Sequence, residues 1–259
     1  MEASLVQPVV KTKLSVEHFN MVFKRDGKST TVFEDLNLAV GDGEFLCLLG
    51  PSGCGKSTLL NAMAGFLQPT SGEIKVDGEA VRGPDPRRVI VFQERGIFPW
   101  LTVEENIGFG LFKLPRPERE QLIAHYVQMI GLQGFEKAYP PQLSGGMKQR
   151  LEVARALAVN PDMLLLDEPF SSLDAITRMG MRIEMLRIWQ AERKTIICVT
   201  HDIDEAVQLA DRVVVMSARP ARIQQIVKID IPHPRDISSP RYLELRDGIL
   251  EQIGLARNI

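Results

Sequence analysis

Glu44-Phe45-Leu46-Cys47-Leu48-Leu49-Gly50-Pro51-Ser52-Gly53-Cys54-Gly55-Lys56-Ser57 is the stretch on which the fold turns. Its first six residues are mostly apolar and read as a buried strand. The next eight run glycine, four residues, then Gly-Lys-Ser, the phosphate-loop pattern in the strand-then-helix setting that the pattern requires. The glycines let consecutive backbone N–H groups turn inward around a phosphate chain, and a helix starting near Lys56 adds the positive end of its dipole. Lys56 supplies a point charge for the β- and γ-phosphates, and the Ser57 hydroxyl can ligate Mg²⁺. Gly50, Pro51, Ser52, Gly53, Cys54, Gly55, Lys56, Ser57 and Thr58 are therefore the expected nucleotide-binding set. Cys54 lies among amides that face the phosphates, so alkylation of its thiol is expected to block nucleotide; a small residue tolerated in the loop is the plainer account.

Working outward, residues 88–92, 163–166, 195–200 and 212–216 are mostly Val, Ile, Leu or Phe, as expected of buried parallel strands. Helical patterns separate them. In 117–131, Leu122, Ile123, Tyr126, Val127 and Ile130 share a face, and Gly131 is a C-terminal stop. In 174–191, Ile176, Met179, Ile183, Leu186 and Met185 point to one side, and 239–255 closes the chain with a third helix. Residues 14–19, 31–33, 37–40 and 73–76 are strand-like pieces joined by turns without helical crossovers, hence an antiparallel layer. A mostly helical stretch, 100–140, has Pro115 and Pro117 before its main helix and Pro140-Pro141 at its exit, and reads as an insertion between strands. The fold class is α/β: a P-loop NTPase core with a mostly parallel sheet, an antiparallel β layer and an inserted helical sub-domain.

Met163-Leu164-Leu165-Leu166-Asp167-Glu168 is a buried strand ending in two carboxylates, where an open parallel sheet presents ligand-binding groups. Neighbouring residues on a strand point to opposite sides. Asp167 can then hold a water of the Mg²⁺ shell while Glu168 polarises an attacking water. Two solvated acids at a strand end are the bland alternative.

Composition narrows the rest. The 259 residues are 44% hydrophobic and 25% charged, ordinary globular values that exclude a disordered chain or a fibre. With 33 acidic and 31 basic residues the net charge is −2, which argues against a general basic field for nucleic acid. The longest apolar runs fall far short of the roughly 20 residues of a membrane span. Residues 1–13 lack the pattern of an export signal, so a cytosolic chain is expected. Three cysteines, Cys47, Cys54 and Cys198, make neither a disulfide frame nor a zinc site.

Leu143-Ser144-Gly145-Gly146-Met147-Lys148-Gln149-Arg150, lying after the insertion and before the 163–168 strand, resembles the ABC signature, and the order of motifs resembles the ATP-binding subunits of ABC transporters. Physically, Ser144-Gly145-Gly146 opens a helix through Ala158, an N-terminal anion site with no local phosphate. The resemblance spans about 14–231, with the helical sub-domain at about 100–160 and a tail with a helix at 232–259, and it implies the ABC ATPase fold, ATP and Mg²⁺. It further implies a head-to-tail homodimer sandwiching two ATP molecules, each phosphate loop facing the partner's Ser144, Gly145, Gly146 and Gln149.

Residue by residue, Gln93 resembles the glutamine that contacts Mg²⁺ or water, so Ser57, Gln93 and Asp167 form the implied metal set. Ser172-Leu173-Asp174 resembles the D-loop, with Asp174 contacting the opposite subunit. His201 resembles the switch histidine that bonds the γ-phosphate and orients Glu168, which makes Glu168, His201 and Gln93 the implied catalytic group. Phe23 is the expected adenine-stacking residue, with Phe19 and Phe33 as nearby competitors.

Glu94-Arg95-Gly96-Ile97-Phe98-Pro99-Trp100-Leu101-Thr102-Val103 mixes large apolar residues with turn formers and invites a partner, or else Phe98 and Trp100 anchor the insertion. In the family this region receives a coupling helix of the membrane subunit. The phrase from Phe98 to Asn106, with Ser217-Ala218-Arg219-Pro220 and Ile231-Pro232-His233-Pro234-Arg235-Asp236, looks most like the nitrate, sulfonate and taurine importer group, from which Arg95 departs. That implies two membrane-spanning permease subunits, an extracytoplasmic solute-binding protein acting indirectly, and a peripheral place on the cytoplasmic face of the inner membrane. A non-transport ABC ATPase and an exporter subunit are the alternative readings.

Overall fold

The computed structural model describes residues 11–92, 96–171 and 173–253. Five short apolar runs build the central sheet: β3 (Phe45–Leu49), β6 (Arg88–Val91), β7 (Met163–Asp167), β8 (Thr195–Thr200) and β9 (Arg212–Met216). Every residue of β3, β7 and β8 is buried, as strands covered on both faces must be. The order is β10-β9-β3-β8-β7-β6, parallel except for the edge strand β10 (Ile223–Lys228), which runs antiparallel to β9. No apolar run announces β10, because a strand at an edge buries little; only Ile223 and Val227 are half-buried and the other four residues are exposed.

This order decides where the chemistry can occur. Although β3, β7 and β8 are far apart in sequence, β8 lies between the other two, pairing Leu49 with Thr200 and Asp167 with Val199. Their carboxyl ends therefore emerge side by side.

The antiparallel layer has the order β2-β1-β4-β5. The pieces expected at 14–19, 31–33, 37–40 and 73–76 prove longer: β1 spans Thr12–Arg25, β2 Lys28–Gly41, β4 Ser71–Val76 and β5 Glu79–Ala80. Asp26 and Gly27, with φ of 50° and 74°, make the two-residue turn between β1 and β2. The pieces of β2 belong to one strand because register shifts absorb the breaks in apolar alternation.

Alternate residues of β3 enter two cores. Phe45, Cys47 and Leu49 join the helices on one face of the sheet, while Leu46 and Leu48 pack with β1, β2 and α1 (Lys56–Ala64) on the other. Between β6 and β7 lies the helical insertion: α2 (Val103–Gly108), α3 (Arg116–Met129) and α4 (Gly145–Ala158). A reciprocal Thr102–Glu105 capping box starts α2. On α3, Tyr126 and Val127 are buried and Ile130 follows into the core, the face expected from periodicity.

One helical face differs from expectation. In α5 (Ala175–Glu192) the buried residues are Met181, Arg182, Met185, Ile188 and Trp189, whereas Ile176 is 86% exposed and Met179 and Ile183 are exposed too. Packing chose the rotation: Trp189 meets Phe45 edge-on at 5.7 Å and His233 at 5.6 Å. After β8, α6 (Ile203–Leu209) leads to β9, and α7 (Pro240–Ile253) buries Tyr242, Leu245 and Ile249 in the same core as α6 and β9. The phrase from Ile231 to Asp236 serves this closure, since the Arg235 guanidinium donates to the carbonyls of Val207 and Ala210 near the end of α6. Among the described residues no helix is long and apolar enough to cross a membrane.

Candidate functional site

The turn after β3 wraps the start of α1. Gly55 has φ of +121°, and a Cβ there would lie 2.5 Å from Val32 and 2.8 Å from Phe33, so only glycine lets the loop rest on β2. Pro51, Ser52, Gly53 and Ser57 stay on the surface. Lys56 opens α1 with its chain buried and its Nζ donating to the carbonyls of Gly50 at 2.8 Å and Pro51 at 3.1 Å. An ammonium has three donors, and among the described residues the third has no hydrogen-bond partner.

Cys54 differs from expectation. Its side chain is 2% exposed and belongs to the core beside β3 rather than to the phosphate face. Its backbone stays in the loop, but alkylation of the thiol is expected to be slow.

The end of β7 faces the same loop. Ser57 Oγ donates to Asp167 Oδ1 at 2.9 Å. Burial raises the Asp167 carboxyl above its ordinary range, and the Glu168 charge adds to that; the Ser57 hydrogen bond and the Lys56 charge oppose it. Two hard oxygen donors, one an acid whose ionisation is opposed by burial, suit a small divalent cation such as Mg²⁺.

Glu168 takes a left-handed backbone, φ +47°, a conformation that costs a non-glycine residue about 1–2 kcal/mol. It is held there by its N–H on the Val199 carbonyl at 2.9 Å and by the Ser171 hydroxyl on its own carbonyl at 2.9 Å. The carboxylate thereby meets the end of β8, where His201 Nδ1 lies 3.1 Å from Glu168 Oε2.

Phe23 is 42% exposed on β1, opposite Thr30 and close along β2 to the Val32 and Phe33 that touch the phosphate loop. Phe19 and Phe33 are fully buried with rings 5.5 Å apart, which leaves Phe23 as the available aromatic face of the three. Ser144 caps α4 by accepting from Met147 N at 3.3 Å. Ser144 is exposed and Gly145 half-exposed, but Gly146 and Gln149 are buried, Gly146 closely against Thr177. Among the described residues no hydrogen bond joins this turn to the phosphate loop, so one chain does not bring the two together. Asp174 caps α5 through Thr177 N at 3.0 Å and is exposed. Gln93, Arg95 and Ser172 lie outside the described residues.

Phe98 and Trp100 differ in surroundings. Phe98 packs against Phe109 at 4.5 Å and under the Arg155 guanidinium at 4.6 Å, while Trp100 is 69% exposed. The sequence offered Arg219 only as part of the Ser217–Pro220 phrase, without its guanidinium's bond to the Gly53 carbonyl, and it did not single out Asp202, which caps α6 through Glu205 N. Asp202 carried a readable signal, an acid directly before a short helix; Arg219 carried none, since its partner is far away in sequence.

A family model described as ABC transporter matches residues 33–171. An uncharacterized ABC transporter ATP-binding protein of Methanocaldococcus jannaschii is 49% identical over 93% of this chain and 91% of its own length. The aliphatic sulfonates import ATP-binding protein SsuB of Bacillus cereus is 42% identical over 92% of this chain and 95% of its own. The nitrate import ATP-binding protein NrtD of Synechococcus elongatus is likewise 42% identical, over 97% and 96%. A dimeric ATP-binding cassette solved in a post-hydrolysis state with ADP and Pi superposes with a TM-score of 0.73 at 29% identity, covering 85% of this chain and 100% of that one. The chain belongs to the ABC transporter family and is an ATP-binding subunit with ATPase activity.

Proposed function

We propose that the chain is the ATP-hydrolysing subunit of a bacterial ABC importer for a small anion of nitrate or sulfonate type. In this reading it works as a head-to-tail homodimer on two permease subunits at the cytoplasmic face of the inner membrane, with a solute-binding protein feeding the permease from outside. The chemistry is carried by one observation: Ser57 bonded to Asp167 at 2.9 Å, beside Glu168 bonded to His201 at 3.1 Å, on adjacent strand ends.

The loop amides from Gly50 to Thr58 and the Lys56 ammonium receive the phosphates, and Phe23 stacks on adenine. Ser57 and Asp167, with Gln93 as the family resemblance implies, would hold Mg²⁺, which would supply positive charge against the phosphates. Glu168 takes the proton of the attacking water. His201 holds Glu168 in place and bonds the γ-phosphate. Ser144, Gly145, Gly146 and Gln149 meet the partner's nucleotide, with Asp174 at the seam; the exposed Ser144 and Asp174 and the dimeric cassette among the structural relatives support this, while Gly146 and Gln149 are buried in the single chain. Docking of a permease helix on the insertion is supported by a groove of about 990 Å³ in which Leu101, Phe109 and Ile123 lie among charged residues such as Glu104 and Arg119, and by the exposed Trp100. The solute class is supported by the printed functions of the sulfonate and nitrate relatives.

Glu168→Gln tests the centre of this reading. Loss of a general base is expected to cut turnover by about 10²–10⁴-fold, while light scattering with ATP shows the mass doubling. Wild-type turnover in the variant would remove Glu168 as the base. For the solute, cells lacking the chain should lose uptake of nitrate or an alkylsulfonate; unchanged uptake of both with altered efflux of another solute would point to an exporter.

A further inference from the structure

Arg178, on the first turn of α5, spends its donors away from its own helix. Its Nη2 donates at 2.9 Å to the carbonyl of Leu173, the residue before Asp174. Its Nη1 lies 3.6 Å from Asp202 Oδ2, on the residue after His201. Arg178 also lines, with Glu168, Ser171 and His201, a cavity of about 10 Å³, room for one water.

The far end of this bridge is firmly held. Asp202 Oδ1 accepts from Glu205 N at 3.0 Å, its own N–H donates to Thr200 Oγ1 at 3.0 Å, and its Oδ2 is bonded by the buried Arg182. Asp202 thus has three contacts besides Arg178, through Arg182, Thr200 and the start of α6. At 3.6 Å the Arg178 contact is an ion pair rather than a short hydrogen bond. Nε of Arg178 is buried without a hydrogen-bond partner among the described residues, so the side chain is not saturated in this arrangement. One planar fork thus joins the backbone at Leu173 to the turn that carries His201, which a lysine's point charge could not do at both ends.

We propose that Arg178 is a positioning residue that transmits the seating of a partner subunit at Asp174 to the His201–Glu168 pair, so that hydrolysis waits for dimer closure. The inference rests on the roles proposed above for Asp174, Glu168 and His201.

The full chain carrying Arg178→Met is compared with wild type, Asp202→Asn, the double variant and Glu168→Gln, measuring kcat and KM for ATP, dimer mass with ATP, and Tm. Arg178→Met is expected to lower kcat at least about tenfold with KM within about twofold and with the ATP-dependent dimer and Tm retained. The double variant is expected to lose no more than the worse single one, since both remove the same bridge. A merely structural arginine would instead lower Tm, dimer mass and turnover together. That pattern, wild-type kcat in Arg178→Met, or losses that multiply in the double variant, overturns the proposal. Should Glu168→Gln be silent while Arg178→Met turns over normally, only the Arg178 role fails; if Glu168→Gln hydrolyses like wild type, the assignment of the base fails and this proposal falls with it.

Discussion

The end of the parallel sheet and the start of α4 both present a helix N-terminus, yet they are finished to different degrees. At the sheet end, Lys56, Ser57, Asp167, Glu168 and His201 are already bonded to the loop or to one another. At the start of α4, the Ser144 hydroxyl bonds its own helix, with no other side-chain partner among the described residues, and Gly145 is half-exposed. A site assembled from neighbouring strand ends closes within one chain, because the sheet brings them together whatever else is bound. A helix N-terminus on an inserted sub-domain has no such neighbour and completes a site only when something is delivered to it.

Gly145→Asp should separate the two regions most sharply. A carboxylate placed where a partner's phosphate is expected repels it, so turnover and ATP-dependent dimerisation should fall by about 100-fold or more, while ATP still binds the single chain with a Kd within about twofold of wild type. Equal loss of binding in the single chain, seen by equilibrium dialysis, would mean that the α4 turn serves its own phosphate loop.

Phe23→Ala is expected to act on the finished site alone. Loss of base stacking is worth about 1–3 kcal/mol, which lowers ATP affinity by about 5–150-fold and leaves kcat at saturating ATP nearly unchanged. Should Phe23→Ala bind ATP normally, adenine rests elsewhere.

The smallest effect concerns the support behind His201. Burial pushes the Glu205 carboxyl from 4.5 up to about 7. The folded chain thus holds that proton more tightly than the unfolded chain, and its stabilising effect is complete below pH 4.5 and lost as pH rises through about 7. Glu205→Gln should therefore flatten the fall in Tm between pH 5 and pH 8, an effect of about 2–4 °C per kcal/mol in a chain of this size. Parallel Tm curves for the two proteins would show that Glu205 stays ionised over the whole range.

Much of the fold was legible in order of residues. Runs such as Phe45–Leu49 and Thr195–Thr200 are strands at the expected places because an uninterrupted apolar run can only be buried on both faces. The phosphate loop and the capped start of α4 were legible because glycines, a lysine and a serine at set spacing dictate local backbone hydrogen bonding. The edge strand β10 was not, since its side chains carry no period-two apolar signal. Nor was the buried face of α5, where apolar residues lie on both sides and Trp189 against Phe45 settles the rotation.

By itself, then, the sequence determined the phosphate loop, the carboxylate pair at the end of β7, and the alternation of strands with helices that makes an α/β sheet; each depends on residues within a few positions of one another. Only the tertiary structure decided that the Cys54 thiol faces the core, that Phe23 rather than Phe19 or Phe33 is free to stack, and that Arg178 spans from Leu173 to Asp202. Those outcomes depend on which strand ends and loops the β9-β3-β8-β7 order sets side by side, and spacing along a chain does not encode distance across a sheet.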